Sequence, residues 1–359
     1  MFDFKGQDFF SVKDNFREIS HIASQQLYGT RQENCRISIM IPTYLRNTYL
    51  KETIDSVLKQ TGAVRTEIVV VDNNDDFSDT ETLDLLRRYP EDRVCYYKNR
   101  KNLGMFGNWN RCLELAGADW VLILHDDDRL RKDYISYMAE IISGEPDLGC
   151  IGCFINRIDE NGNEIPEEKT GISGKAVSFL KRRKISDVKV RDFYFTHPLN
   201  IMGLLVNRKK AVDAGGFDLR WDPVSDYIFI MNLVYRHPAK LIHEKLFDYR
   251  IAVNASLKPR HIIGMAEIDG FMREEINRKL NLMKTKTDKL YRSCYAFFCE
   301  RYCLKKWTVK LSGEQKKHIA DDYAEFNQYM GYQRPTKWMM KYFCLFERGY
   351  RFYIKYIRK

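Results

Sequence analysis

The chain lacks any apolar run approaching the roughly 20 residues that a bilayer-spanning helix needs, so no such helix is expected. Its nine cysteines are odd in number and scattered, which fits a reducing compartment better than a disulfide framework. Cys150-Ile151-Gly152-Cys153 has the spacing of a metal or redox pair, but no second pair stands at zinc spacing. Its apolar surroundings point to buried thiols. Met1-Phe2-Asp3-Phe4 does not open a signal peptide, and a cytoplasmic protein is expected, whether free or peripheral at the inner face of the cell membrane. Two phosphate-binding signatures are also missing. Without G-x-G-x-x-G or G-x-x-x-x-G-K-[ST], neither a dinucleotide fingerprint nor a P-loop is available.

What the chain does have is length, charge and rhythm. Its 359 residues, 44% apolar and 30% charged, suffice for one large core or two domains. A formal charge of +10 implies an anionic partner. A nucleic-acid partner is not expected, because the acidic site described next has no basic-aromatic β platform beside it.

Residues 1–35 read as an N-terminal extension with a helix near Val12 to Leu27. From there strand and helix alternate. Ile37 to Ile41 is a strand closed by Pro42, and Asn47 or Thr48 caps a helix through Leu58. Glu67 to Val71 is a second strand ending at Asp72, followed by helix Thr80 to Arg88 and strand Val94 to Tyr97. A helix ending at Ala116 leads to Val121-Leu122-Ile123-Leu124, a strand buried on both faces. This alternation argues βαβ units on a mostly parallel sheet, an α/β fold.

The last strand ends in His125-Asp126-Asp127-Asp128. Adjacent carboxylates repel and resist ionising unless a cation sits among them. Ligands of open α/β sheets bind beyond the carboxyl ends of the strands. Hard oxygen ligands there suit Mg²⁺ or Mn²⁺ carrying a phosphate, whereas a solvated turn would use Asp128 only to cap the next helix. Tyr44, in the turn after the first strand, is a candidate base-stacking residue or a half-buried loop aromatic.

Pro42-Thr43-Tyr44, Ile68 to Asp72, Asn102-Leu103-Gly104, Asn110 with Leu113 to Ala116, and Leu124 to Asp128 occur in an order that resembles the inverting glycosyltransferases of family 2. The resemblance covers residues 36–256 and implies a GT-A fold, a nucleoside-diphosphate-sugar donor of the UDP class and a divalent Mn²⁺ or Mg²⁺. It implies donor contacts at Pro42, Thr43, Tyr44, Arg46, Asp72, Asn102, Asn110, Asp126 and Asp127, with metal ligation at Asp126 and Asp128. Departure of a nucleoside diphosphate also requires a base for the acceptor hydroxyl. Asn200 to Val206 reads as a strand leading to helix Arg208 to Ala214, and Asp226, at a helix start after Gly215-Gly216-Phe217-Asp218, fits that place, with Ser225 where the family carries Glu. Trp221, Met202 and Gly203 are acceptor-side candidates. Ala252 stands where relatives carry a metal- or diphosphate-contacting His, and Lys258, Arg260 or His261 could supply positive charge instead. Arg250, His197 and His243 remain ambiguous.

The expected domain spans 36–258, divided into a nucleotide-binding half, 36–130, and an acceptor half, 131–258. Within it, Asp159 to Glu164 reads as a hairpin turn and Lys175 to Lys184 as a basic helix, in a segment that would set acceptor choice. Residues 259–359 read as an all-helical extension near 262–282, 288–304, 313–330 and 337–357. Its end, 336–359, mixes aromatic and basic residues, and either lies on an anionic membrane or packs against the catalytic domain or a second copy. The acceptor expected is a glycan or lipid-linked glycan of cell-surface polysaccharide synthesis. The alternatives are a non-catalytic carbohydrate-binding or scaffold protein of the same fold, and a sugar-nucleotide pyrophosphorylase, which would need a Gly-rich basic loop after the first strand.

Overall fold

Ile37–Thr43 (β2), Thr66–Asp72 (β3) and Trp120–Ile123 (β5) are almost entirely buried, and the computed structural model shows why such unbroken apolar runs form strands. The structure describes residues 7–166, 185–251, 259–302, 304 and 312–356. Successive side chains on each strand feed two separate cores. Met40, Val69, Val71, Val121 and Ile123 enter one, while Ile39, Ile41, Ile68, Val70 and Leu122 enter the other. A strand packed on both faces has no polar side to show.

β2 pairs in parallel with β3 and β5, and β3 with Cys95–Asn99 (β4). The sheet continues through Cys150–Ile158 (β7), Leu205–Asn207 (β9) and Ala239–Arg250 (β10), in the order β1-β4-β3-β2-β5-β9-β7-β10-β6. Here β1 is Ser24–Tyr28 and β6 is Arg129–Leu130, while Ile185–Val188 (β8) pairs β10 off the main path. β9 runs antiparallel to both β5 and β7. The sheet is mixed, with parallel pairing at its centre and antiparallel pairing elsewhere, and helices flank it, the α/β architecture that the resemblance implies.

Register builds the cleft. Thr43 lies opposite Asp72, and the Leu124 N–H donates to Met40 O at 2.9 Å. The chain beyond β5 therefore emerges beside the tip of β2.

Four local expectations are corrected. No helix covers 12–27; a 3-10 turn, Phe16–Glu18, is followed by β1, whose half-exposed polar residues make an edge strand paired antiparallel with β4. Pro42 does not close its strand but pairs with Val71 inside it. The first helix (α1) is Leu50–Leu58 and has no side-chain cap; Asn47 instead accepts from Thr82 Oγ1 at 3.0 Å. The expected strand at 200–206 bends at Gly203, φ +71°, where a Cβ would lie 2.8 Å from Cys153 Sγ, leaving only β9. The turn at Asp159 forms as expected, with Asp159 N–H donating to Asn163 O at 2.9 Å. The basic helix expected at Lys175 to Lys184 and Ala252 lie outside the described residues.

The remaining helices are Glu81–Leu86 (α2), Gly104–Leu115 (α3), Tyr134–Gly144 (α4), Val190–Phe195 (α5), Arg208–Asp213 (α6), Ser225–Arg236 (α7), Pro259–Leu280 (α8), Thr285–Tyr302 (α9), Gly313–Tyr329 (α10) and Lys337–Tyr356 (α11). The C-terminal helices share the catalytic core rather than trailing from it. Ile268, Met272 and Ile276 of α8 join Phe193 and Tyr194 of α5 in one cluster, and Tyr194 Oη donates to Asp288 Oδ1 at 2.7 Å. No helix among the described residues is long and apolar enough to cross a membrane.

Candidate active site

The acidic turn after β5 is held from three sides. Thr43 Oγ1 donates to Asp126 Oδ2 at 2.8 Å. Arg46 pairs with Asp127 and stands 3.5 Å from Asp126. It follows Leu45, which adopts the left-handed backbone uncommon outside glycine, φ +52°. Thr53 Oγ1, from α1, donates to the Asp128 carbonyl at 2.8 Å.

The third side is Arg250, at the end of β10 and fully buried. Its N–H donates to Asp128 Oδ1 at 2.9 Å and its Nε to Asp127 O at 2.8 Å. Nη1 donates to the carbonyls of Asp159 and Glu160, both at 3.1 Å, and Nη2 to Glu52 Oε2 at 2.6 Å. The guanidinium also lies 4.2 Å from the centre of the Tyr49 ring. A fixed fork of donors suits such a junction of loops. Spacing alone left this residue ambiguous; its role depends on contacts across more than a hundred residues.

The remaining donors fit a cation. His125, Asp127 and Asp128 each offer a ligand atom, all within 4.8 Å of one another. His125 Nδ1 lies 3.3 Å from Asp128 Oδ2. Asp128 Oδ2 and His125 Nε2 are buried with no hydrogen-bond partner, a state that costs free energy unless a ligand completes it. The expected pair was Asp126 and Asp128. Asp128 stays in the group, while Asp126 turns toward Thr43 and Arg46, and His125, which the sequence reading passed over, takes its place. Burial, foremost, pushes Asp126 up to about 6 and raises Asp128. Burial opposes the charge of His125, but Asp128 and the neighbouring acids outweigh it and raise that pKa. The imidazole is stacked on Trp109, ring centres 5.1 Å apart.

Asp72 sits at the tip of β3, buried, with Oδ2 accepting from Tyr96 Oη at 2.7 Å and Oδ1 from the Asn74 N–H at 2.9 Å. Burial raises its pKa. Next to it Asn73 ties the 102–104 loop, donating to Asn102 Oδ1 at 2.8 Å and accepting from the Leu103 N–H at 2.8 Å. Asn110 is fully buried and exchanges both amide bonds with the backbone of Phe217, at 2.8 and 2.7 Å. It is spent on joining α3 to the Gly215-Gly216 turn. A Cβ on Gly216 (φ +69°) would lie 2.4 Å from Asn110 Oδ1, so glycine is required there. Pro42 is buried in β2, whereas Tyr44 is 48% exposed at the mouth of the cleft.

Asp226 opens α7 and is partly accessible. Burial, foremost, pushes its carboxyl up to about 6, tempered by the Tyr227 N–H and by the charge of His125. The rings of His125, Trp109, Phe217 and Phe229 form a chain of contacts from the acidic turn to α7, with centres 5.1, 5.3 and 4.3 Å apart, which brings the helix that carries Asp226 up to that turn. Trp221 is not exposed there. Its ring is buried 4.7 Å from Phe9 and belongs to the core. Met202 is partly buried between the two cores, and Gly203 O accepts from Tyr134 Oη at 3.3 Å. Two cavities of about 570 and 590 Å³ lie around Arg129 and Asp248.

The family model for glycosyl transferase family 2 matches residues 38–214, from β2 through the acidic turn to the end of α6. The chain belongs to glycosyl transferase family 2. Asp226 lies beyond the matched segment. Among its relatives, an uncharacterised glycosyltransferase of Methanocaldococcus jannaschii is 24% identical over 219 residues, 60% of this chain and 70% of that protein. Abequosyltransferase RfbV of Salmonella typhimurium is 26% identical over 215 residues, 58% of this chain and 63% of its own length. A glucosyltransferase of Campylobacter jejuni, named for an undecaprenol-diphosphate-linked glycan, is 28% identical over 159 residues, 44% of this chain and 47% of that one. The chain thus spans less than two thirds of the length of the latter two. The crystal structure of S. aureus TarS 1–349 in complex with UDP-GlcNAc superposes with a TM-score of 0.55 at 16% identity, over 89% of this chain and 90% of that one. That likeness shows the fold.

Proposed function

We propose that this family 2 enzyme is an inverting glycosyltransferase. It moves a sugar from a nucleoside-diphosphate sugar, of the UDP class found with TarS, to a hydroxyl on a glycan or lipid-linked glycan. The work belongs to cell-surface polysaccharide synthesis on the cytoplasmic side. The name of the Campylobacter relative supports the lipid-linked acceptor class. One observation carries the reading: the turn that gathers His125, Asp127 and Asp128 is joined through the Trp109, Phe217 and Phe229 rings to the helix that Asp226 opens.

His125, Asp127 and Asp128 would hold Mn²⁺ or Mg²⁺, and that ion would neutralise charge on the departing diphosphate. Asp226 as carboxylate takes the proton of the acceptor hydroxyl. The acceptor oxygen bonds to the anomeric carbon from the face opposite the diphosphate, the sugar–phosphate C–O bond breaks, and configuration inverts in a single displacement. A base with pKa near the working pH is effective in this step. Arg46, beside Asp126 and Asp127, stands where a diphosphate would meet a positive charge, and Thr43, Tyr44 and Asp72 would flank the nucleotide. Asp127 is read as serving both the ion and the donor.

The test is thermal-shift binding of UDP-sugars with and without Mn²⁺. Asp128→Ala should abolish the metal-dependent shift. Asp226→Asn should keep the shift and lose roughly 10²–10⁴-fold in transfer; full transfer by Asp226→Asn would remove the base from this reading.

A further inference from the structure

The terminal helix α11 has two unlike faces. One is locked to the protein. Phe343 and Glu347 are buried, with Tyr291 Oη donating to Glu347 Oε1 at 2.8 Å. The Tyr350 ring sits 4.8 Å from Phe195, and its hydroxyl donates to Asp192 Oδ1 at 3.2 Å. The other face is bare and apolar. Trp338, Tyr342 and Leu345 are 65%, 55% and 54% exposed, and their spacing places them on one stripe of the helix; Phe346, 46% exposed, borders it, its ring also meeting Phe195 and Tyr291 at 6.3 and 6.1 Å. Lys337, Lys341 and Arg348 are exposed beside it, while the one acid of the helix, Glu347, points inward.

We propose that this face docks on an anionic membrane surface, with the aromatic stripe at the headgroup–acyl boundary and the three cations on acidic headgroups. A contiguous stripe of this kind is rarely left in water without a partner. Trp and Tyr favour the interfacial layer, where an apolar ring and a polar tip are both accommodated. The charge pattern selects the occupant. A second copy meeting this face across a two-fold axis would set cations against cations, whereas acidic lipid complements all three.

The face is also coupled to the cleft. α11 packs on α5, and the chain leaving α5 meets α7: Tyr227 Oη donates to Thr196 O at 3.4 Å, and the His197 and Tyr227 ring centres lie 4.3 Å apart. Tyr227 follows Asp226 directly. A docked α11 therefore holds the Asp226 side of the cleft at a fixed relation to the bilayer, which suits an acceptor anchored there. That orientation rests on the transferase reading; the docking does not.

The full chain is co-sedimented with vesicles of phosphatidylcholine alone and of phosphatidylcholine mixed with phosphatidylglycerol, with no donor or acceptor present. The chain should partition into the mixed vesicles and far less into the neutral ones. Lys337→Gln/Lys341→Gln/Arg348→Gln should lower the partition coefficient on the order of a hundredfold. Trp338→Ser/Tyr342→Ser/Leu345→Ser should lower it comparably, with the Tm of both variants matching the parent because every altered side chain is exposed. Equal partition into both vesicle types, or undiminished partition by either variant, overturns the proposal. So does a dimer in sedimentation velocity that the Ser variant converts to monomer without changing vesicle binding. Because vesicle binding is read without turnover, a failed transferase assay leaves the result standing.

Discussion

Asp226 is held at a thermodynamic disadvantage that fits a general base. Its ordinary value is 3.8 and burial lifts it to about 6. Between those values the folded protein retains a proton that the unfolded chain has released, so stability falls as pH rises through this window and the penalty is complete above it. Asp226→Asn should therefore be more stable than the parent near pH 8, by on the order of 1–2 kcal/mol once partial exposure is discounted. The advantage should vanish near pH 4, as scanning calorimetry at the two pH values would show. In the proposed mechanism the same ionisation sets the rate. kcat/KM for the acceptor should rise with pH to a plateau, with a midpoint near 6; a flat profile between about pH 5 and 8 would exclude a titrating base. At this scale the sequence was uneven. The positions of Asp226 at a helix start and of Asp128 in the turn after β5 were readable because each stands at a fixed place in a local motif. Trp221 was misplaced because an aromatic in a loop looks available, and only the fold brings Phe9 over it. His125 was overlooked beside louder carboxylates.

Among the elements, the end of β10 does the most to shape the site. Arg250 ties β10 to the turn after β5, to α1 through Glu52 and to the 159–160 turn. Arg250→Met should lower unfolding stability by about 2–3 kcal/mol, because the side-chain hydrogen bonds to the Asp127, Asp159 and Glu160 carbonyls and to the partly exposed Glu52 carboxylate are lost. Urea denaturation measures this, and a loss below about 1 kcal/mol would mean that the junction is held by other contacts. Arg250→Lys keeps the charge but not the fork and should recover only part of the loss. β2, β3 and β5 were legible because a strand feeding two cores must be apolar throughout. β1 was not, since an edge strand with solvent on one side carries the same polar mixture as an amphipathic helix. The bend at Gly203 escaped notice for a different reason. Its apolar flanks suit a strand, and only the approach of Cys153 and Phe247 forces the turn.

For the whole molecule, the C-terminal helices are structural as well as surface-forming. Their limits matched the helical pattern closely, because long periodic segments with polar breaks are easily read. Their attachment was not readable, because nothing local marks Asp288 as the partner of Tyr194. A chain ended after Asn281 loses α9–α11 and uncovers Tyr194 and Phe195, though it retains every residue of the acidic turn. It should unfold at lower temperature than the full chain and bind a hydrophobic dye in its folded state. Unchanged Tm and no dye binding would show that the helices are dispensable.

The bond from the Arg250 N–H to Asp128 also has a consequence in time. The two residues are 122 apart in the chain, so a ribosome adding about 5–20 residues per second needs about 6–24 s to supply the partner after Asp128 is made. Until then the nascent donor half carries a buried acidic turn with one of its three sides missing. The half that resembles an independent nucleotide-binding unit thus cannot finish its own site during synthesis. It waits, open, for the strand that completes it.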